Sequence, residues 1–352
     1  MSPRNAVVLA FPGQLTTRTG GYVYDHAAFA ALAERGWEVH ELSLPEGLAF
    51  EDGAVAIATA DALDGLPSGT TVVIDGLAFA GMAAIAAARR HRLDIVALVH
   101  HPLCLETGMT PMRASVLRKE EKAALAEARG VIATSEMTAR ALAAEFGVRP
   151  ERLTVAMPGA ERGPVGGGSG AGSLLCVGTL IPRKGHLVLL EALAGLKELD
   201  WLLVCAGAAR DRSLTHRLEA FIEDQGLDDR VHLLGEIEPE ALAAAYERAD
   251  AFVSASWYEG YGMAVADALG RGLPVIATAG GAVADTVPPD AGILVRPGDV
   301  AGLRAALRRY LTDASLRGAL RAGALRVREK LPRWSDTAAA IEQALLMGRP
   351  PA

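Results

Sequence analysis

Two segments in the second half of the chain carry charged side chains beside glycine-containing loops. The first is Gly178-Thr-Leu-Ile-Pro-Arg-Lys-Gly-His186, which follows a short apolar run at 174–177 and precedes a helical run. This pattern predicts that Arg183 and Lys184 lie in a strand-to-helix loop. A helix N-terminus favours anions, and two adjacent cations there can clamp a diphosphate. An isolated Arg-Lys pair is usually a solvated turn, but the position directly after a buried strand favours the binding site.

The second segment, 254–270, contains a Gly-rich turn between two carboxylates. Gly260 and Gly262 allow the backbone to approach a ligand closely and to aim N–H donors at it. Glu259, at the predicted loop tip, can accept hydrogen bonds from a polyol, and Asp267 follows after seven residues on a predicted helix. Either acid alone would be interpreted as a surface residue. The pair, at this spacing beside the turn, predicts a ligand site.

Composition limits the classes of protein that can carry these segments. The 352 residues predict two domains, and 51% hydrophobic residues suffice for a large core. The 35 basic and 42 acidic residues give a net charge of −7, so no global electrostatic footprint for nucleic acid is expected. Three distant cysteines favour neither a disulfide framework nor a cysteine metal site. Without a signal peptide or an unbroken run of about 18 apolar residues, we expect a cytoplasmic protein with no transmembrane segment.

The elements that must position these residues form two similar halves. Short runs rich in Val, Leu and Ile alternate with Ala-rich helical stretches, which predicts βαβ units and a parallel sheet. The alternation restarts after a Gly-rich stretch, so each half should have its own sheet. The predicted organisation is an N-terminal domain at 1–162, a flexible linker at 163–172, a second domain at 173–333 and a C-terminal helix within 334–352.

Several segments in the second half together resemble the retaining GT4-type glycosyltransferases of GT-B fold. They are Glu259-x7-Asp267, where the family usually has a second Glu, the segment 178–185, and two Gly-containing segments at 272–281 and 292–299, all in the family's order. The resemblance implies an α/β GT-B architecture. In it, two Rossmann-like domains have parallel sheets that face an interdomain cleft, and the C-terminal helix crosses back to the N-terminal domain. The first half resembles the family less closely, through Gly20-Gly21, His100 at a strand end and Ala133-Thr-Ser135.

The resemblance also implies roles for individual residues. Arg183 and Lys184 would bind the donor diphosphate and stabilise its developing charge, Glu259 would hold sugar hydroxyls, and Asp267 would bind the ribose. His100 would face the sugar from the N-terminal domain, with the neighbouring His101 as its rival. The remaining expected donor-binding residues are small or lie in the two Gly-rich turns: Gly20, Gly21, Gly178, Thr179, Gly260, Tyr261 and Gly262.

The implied reaction transfers a sugar from a nucleotide-diphospho-sugar, UDP- or GDP-linked, to a small-molecule, lipid or glycan acceptor. No metal or other cofactor is expected, because no acidic metal motif lies near the predicted site and two cations can replace a divalent ion on a diphosphate. Two alternatives stay open at this point. One is a nucleotide-sugar epimerase of the same fold, and the other is a catalytically silent nucleotide-sugar-binding subunit.

Overall fold

The computed structural model describes residues 5–14, 19–106, 108–168, 170 and 172–347. The chain divides into two compact units, and each is described by itself. Unit 1 comprises Met1–Gly159 and Pro332–Ala352, and unit 2 comprises Ala160–Leu331. Within the described ranges, no helix has the length and apolar character needed to cross a membrane.

Unit 1 contains a six-stranded parallel sheet in the order β2-β1-β3-β4-β5-β6. All residues of the central strand β3 are buried, as expected for a parallel sheet covered by helices on both faces. In chain order the elements are β1 Ala6–Pro12, α1 Gly20–Glu34, β2 Glu38–Leu44, α2 Gly53–Asp64, β3 Thr71–Asp75, α3 Gly76–Phe79, α4 Ala83–Arg89, β4 Asp94–Val99, α5 Pro111–Glu127, β5 Gly130–Ala133, α6 Glu136–Phe146 and β6 Leu153–Val155.

Unit 2 contains a second six-stranded parallel sheet, in the order β12-β11-β10-β7-β8-β9. Its elements are β7 Ser173–Val177, α7 His186–Ala194, β8 Leu202–Ala206, α8 Arg212–Asp224, β9 Val231–Leu233, α9 Pro239–Arg248, β10 Ala251–Ser254, α10 Met263–Gly270, β11 Val275–Thr278, α11 Val283–Thr286, β12 Gly292–Val295, α12 Val300–Thr312 and α13 Ala314–Arg328. The strand order reverses between β7 and β10, and such a reversal opens a crevice at the carboxyl ends of the strands. The predicted fold class, two Rossmann-like α/β domains with parallel sheets, is confirmed.

The C-terminal helix α14, Trp334–Leu346, is part of unit 1. It packs against α1 and against β5 and β6. Glu342 accepts a hydrogen bond from Trp37 Nε1 at 3.0 Å and also pairs with Arg35. Thr337 Oγ1 donates to the carbonyl of Met157 at 2.6 Å. These contacts attach the last described helix to the first sheet.

The Gly-rich stretch at 163–172 differs from the flexible linker that its composition predicts. The buried carboxylate of Asp250 accepts hydrogen bonds from the N–H groups of Gly170 at 2.7 Å, Gly172 at 3.0 Å and Ser173 at 2.8 Å. The N–H of Gly166 donates to the carbonyl of Arg271 at 2.9 Å. The described part of this stretch is therefore fastened to unit 2, and the boundary between the units falls at 159/160 instead.

Candidate functional site

The loop after β7 is held against the loop after β10 by a close backbone approach. A 3-10 turn, Pro182–Lys184, ends at Gly185, which has a φ of 66°. A Cβ at this position would lie 2.1 Å from the carbonyl oxygen of Ala255. A larger residue at 185 would meet both steric exclusion and a strained left-handed backbone. The two loops that the sequence singled out therefore meet at the reversal of strand order.

The backbone at Gly178 lies beneath the Lys184 side chain, and the backbone at Gly207 packs against Gly178. A Cβ on Gly178 would lie 3.3 Å from Lys184 Cδ, so the lysine stem crosses directly over this glycine. A Cβ on Gly207, in the loop after β8, would lie 2.1 Å from the Gly178 carbonyl oxygen. In the loop after β7, the Thr179 carbonyl accepts a hydrogen bond from the N–H of Ile181 at 2.9 Å. The ends of β7 and β8 thus form a compact floor for the lysine.

Arg183, Lys184 and Glu259 form one ion-pair cluster. Lys184 Nζ donates to Glu259 Oε1 at 2.6 Å, and Ser256 Oγ donates to the same oxygen at 2.6 Å. Arg183 Nη1 lies 3.5 Å from Glu259 Oε2 and donates to the carbonyl of Tyr258 at 2.7 Å. The structure therefore brings together the two predicted phosphate ligands and the predicted sugar ligand. Ser256 is a member of this cluster that the sequence analysis missed, although it lies only three residues before Glu259.

The cluster has a net positive charge and little solvent around it. The side-chain exposures are 15% for Arg183, 18% for Lys184 and 11% for Glu259. Burial raises the pKa of Glu259, but Lys184 and Arg183 outweigh it, and the pKa lies below its ordinary value. The carboxylate is thus ionised at neutral pH, and the two cations exceed it by one charge. A diphosphate is the kind of ligand that such a partly buried excess charge favours.

The second Gly-rich turn leads into helix α10. Gly262 is the N-cap residue, and no side chain caps the helix there. The carbonyl of Glu259 accepts the N–H of Ala282 at 2.9 Å, which fixes the turn to the loop after β11. Tyr261 is buried, and burial, followed by the charge of Asp267, raises its pKa to about 12. Residues 260–262 therefore connect Glu259 directly to the N-terminus of α10, which is the positive end of the helix dipole.

Asp267 lies in different surroundings from the Arg183–Lys184–Glu259 cluster. Burial raises the pKa of Asp267 to about 6, with Arg271 opposing and Glu161 adding to the shift. Arg271 itself stacks over the Tyr246 ring, with 4.5 Å between the guanidinium carbon and the ring centroid. The charged groups that shift the pKa of Asp267 are thus Arg271 and Glu161. Its contact with a ribose stays a prediction.

His100 lies in unit 1, directly after β4, and is held between two carboxylates. Its Nε2 is 3.1 Å from Asp25 Oδ1 and 3.2 Å from Asp75 Oδ2, and both aspartates are 0% exposed. A Cβ on Gly21 would lie 3.3 Å from His100 Cδ2, whereas one on Gly20 would meet nothing within 4 Å. Of the two predicted glycines, Gly21 therefore contacts the histidine. The rival, His101, pairs with Glu106 at 2.7 Å.

The backbone of His100 is fixed by the Thr-Ser segment after β5. Thr134 Oγ1 and Thr138 Oγ1 donate to the His100 carbonyl at 3.2 Å and 3.3 Å. Ser135 caps α6 by accepting the Thr138 N–H at 3.0 Å. The segment that the sequence analysis noted for its resemblance thus positions the residue at the end of the neighbouring strand.

Asp25, Asp75 and His100 also form a cluster with ligand atoms within 4.8 Å of one another, close enough to hold a metal ion. Spacing along the chain does not reveal it, because the members come from α1, the end of β3 and the end of β4. The proximity of Asp75 to His100 could have been predicted, because β3 and β4 are neighbouring parallel strands and these two residues lie at their carboxyl ends. The position of Asp25 within α1 gives no comparable indication in the sequence. The expected absence of a metal stays a prediction.

Comparisons with known proteins define the class. A model described as "Glycosyl transferases group 1" matches residues 168–326, and one described as "Glycosyltransferase Family 4" matches residues 69–161. Together with the two Rossmann-like units, these matches confirm the predicted family. The chain belongs to the GT4-type glycosyltransferases of GT-B fold.

Individual relatives share part of their length with this chain. An MMP alpha-(1->4)-mannosyltransferase from Mycolicibacterium hassiacum is 29% identical over 62% of this chain and 56% of its own length. A D-inositol 3-phosphate glycosyltransferase from Geodermatophilus obscurus is 32% identical over 61% of this chain and 51% of its own. The chain therefore spans about half the length of the curated relatives it matches.

Two solved structures cover almost the whole chain. A sucrose-phosphate synthase from Thermosynechococcus elongatus has a TM-score of 0.81 at 22% identity, over 97% of this chain and 98% of its own. Anabaena HepE in complex with UDP-glucose has a TM-score of 0.76 at 17% identity, over 96% of this chain and 99% of its own. At this identity the likeness shows the fold alone.

Proposed function

We propose that this protein transfers a sugar from a nucleotide-diphospho-sugar to a hydroxyl-bearing acceptor, with retention of anomeric configuration and without a metal ion. The observation that carries the proposal is the Arg183–Lys184–Glu259 cluster at the reversal of strand order in unit 2. Family membership favours the reaction class, and the cluster supplies the charge that such a reaction needs.

The two cations act on the leaving group. As the bond between the anomeric carbon and the phosphate oxygen breaks, negative charge grows on the diphosphate, and Lys184 Nζ and Arg183 Nη1 stabilise it. Their positions are fixed before the donor arrives by Glu259, Ser256 and the Tyr258 carbonyl. Cations that need no rearrangement at the moment of reaction are often the largest contribution to catalysis. The same two cations can take the place of a divalent metal on the diphosphate.

The role of Glu259 is to orient rather than to attack. Its Oε1 already accepts hydrogen bonds from Lys184 and Ser256, and its pKa is lowered, so the oxygen is a poor nucleophile in this arrangement. A same-face displacement, in which acceptor oxygen and leaving phosphate share one side of the sugar, requires no enzymic nucleophile and preserves configuration. Glu259 and the start of α10 then hold sugar hydroxyls while Arg183 and Lys184 hold the diphosphate.

The donor is a UDP- or GDP-linked sugar in this proposal, and the similarity in fold to HepE, whose structure is a complex with UDP-glucose, favours UDP. The relatives are named for different reactions, so the acceptor class stays open among small molecules, lipids and glycans. A nucleoside diphosphate stabilises a protein that binds it by mass action. A thermal-shift screen of UDP-, GDP- and ADP-sugars therefore selects the donor first.

The selected donor, labelled in its sugar, is then incubated with the protein and with candidate acceptors. Transfer of label to an acceptor, with release of the nucleoside diphosphate, supports the proposal. Isomerised donor without transfer would identify an epimerase, and binding without either product would identify a silent subunit. Lys184→Ala should lower the rate of transfer strongly, and Lys197→Ala, at an exposed lysine after α7, is its matched control and should not.

A further inference from the structure

The buried surroundings of His100 contain more negative charge than a neutral imidazole can balance. Asp25 on α1 and Asp75 at the end of β3 both lie within 3.2 Å of the single atom Nε2. Both carboxylates are fully buried, and Asp25 Oδ2 lacks a hydrogen-bond partner among the described residues. Two buried, ionised carboxylates without a counter-charge would each cost roughly several kcal/mol in lost hydration. The two carboxylates therefore need either a proton or a cation, and the His100 imidazole, with Nε2 3.1 Å from Asp25 Oδ1, is a group that can supply the positive charge.

The geometry also indicates that Nε2 of the imidazole ring carries a proton. An unprotonated Nε2 would direct its lone pair at two carboxylate oxygens, which is repulsive. A proton on Nε2 is therefore favoured, and it forms a hydrogen bond with Asp25 Oδ1 at 3.1 Å, while Asp75 Oδ2 lies within ion-pair distance at 3.2 Å. Among the described residues no hydrogen bond of the ring uses Nδ1, which is the nitrogen left for a ligand. Burial lowers the pKa of His100, but the charges of Asp25 and Asp75 outweigh it and raise the pKa to about 10.

We propose that Asp25 and Asp75 are positioning residues that keep His100 as an imidazolium, whose Nδ1–H serves as a fixed, charged donor toward the substrate. The part about the substrate rests on the proposed function, whereas the charge state does not. Such a histidine stabilises an oxygen that gains negative charge and cannot act as a general base.

The groups that face the ring limit the pH range of this state. Asp25 and Tyr24 approach from α1, Asp75 from β3, and the Tyr24 ring meets the imidazole edge-on at a centroid distance of 5.2 Å. Burial raises the pKa of Tyr24 well above its ordinary value, so it is neutral and adds no charge. Burial also raises the pKa of Asp25 to about 6, even though His100 opposes the shift. The imidazolium should therefore persist at every pH below its own pKa of about 10, and acid below about pH 6 removes the charge of Asp25 rather than that of the histidine.

The test is a ¹⁵N NMR titration of the intact protein labelled in its histidines, with the His100 signals assigned from the His100→Asn variant. We expect both His100 nitrogens to show imidazolium shifts up to about pH 9. In Asp25→Asn or Asp75→Asn, we expect the pKa of His100 to fall by about three units, while Asp61→Asn, at an exposed position on α2, leaves it unchanged. A neutral His100 at pH 7.5 in the parent protein would overturn the proposal.

Two further measurements separate this role from others. In Asp25→Asn, kcat should fall about tenfold between pH 6 and pH 8 as the histidine loses its charge, with the KM for the donor little changed. A pH profile identical to that of the parent would leave a structural role only and overturn the proposal.

Elemental analysis is the other measurement. A stoichiometric divalent metal, whose removal by EDTA shifts the His100 signals, would make the cluster a metal site and also overturn it. If the NMR titration succeeds but no sugar transfer is ever detected, the proposed function fails while the charge state stands.

Discussion

Replacing Glu259 by Gln removes the carboxylate that Lys184 and Arg183 share while almost preserving the side-chain volume. At 2.6 Å, a unit-charge pair in an effective dielectric of about 20 gains roughly 6 kcal/mol before desolvation is subtracted. Removing one partner of a buried pair costs about 3–5 kcal/mol. Because the Gln oxygen still accepts a hydrogen bond from Lys184, we expect a loss at or just below the lower end of this range, about 2–3 kcal/mol in the free energy of unfolding of unit 2.

The sign of the pH dependence follows from the pKa of Glu259, which is lowered in the folded state. Its contribution is fully present above the unfolded pKa of about 4.3 and is lost as the pH falls through the folded value. The difference between parent and Glu259→Gln should therefore be largest at neutral pH and shrink in acid below about pH 4.

Calorimetric unfolding of parent and variant at pH 7.5 and at pH 3.5 measures this difference. For a unit of this size, the expected loss lowers the unfolding temperature by roughly 4–12 °C at neutral pH. Glu219→Gln, at an exposed position on α8, is the matched control and should change the temperature by less than about 1 °C. Equal unfolding temperatures for parent and Glu259→Gln at neutral pH would refute the reasoning, as would a difference that grows on acidification.

Three further predictions concern turnover. Lys184→Ala and Arg183→Ala should each lower turnover with the fold intact, because each loses about 2–4 kcal/mol of transition-state stabilisation, whereas Lys197→Ala should not. Initial rates measure turnover and circular dichroism checks the fold. Retention of activity within about threefold in both site variants would contradict the prediction. His100→Ala should reduce turnover much more than donor affinity, as initial rates and calorimetric titration will show, and normal turnover in His100→Ala beside a loss in His101→Ala would show that His101 is the functional histidine. Activity should survive EDTA, and a loss restored by Mg²⁺ or Mn²⁺ would contradict metal independence.

The parts of the site that could be predicted are those that follow a strand directly. Arg183, Lys184 and Glu259 each occupy a loop between a buried strand and a helix, and parallel strands bring such loops to one edge. The cluster could therefore be expected from spacing alone, although its internal pairing could not. Whether Lys184 contacts Glu259 depends on side-chain directions fixed by Gly178, Gly185 and the Ala255 carbonyl.

The parts that could not be predicted depend on single long-range contacts. The Gly-rich stretch has the composition of a flexible chain, and one buried carboxylate, Asp250, fastens it to unit 2. The carboxylates around His100 come from elements 75 and 25 residues away along the chain. Local patterns of hydrophobicity carry no information about such contacts, because they arise only when the sheet has assembled.

The most direct test of the central claim, that Arg183 and Lys184 form a diphosphate site, is calorimetric titration of a nucleoside diphosphate and of the matching monophosphate. Both are titrated into the parent protein and into the Arg183→Ala/Lys184→Ala double variant. We predict that the parent binds the diphosphate at least tenfold more tightly than the monophosphate, by about 1.4 kcal/mol, and that the double variant loses this preference. A preference that persists in the folded double variant would contradict the claim.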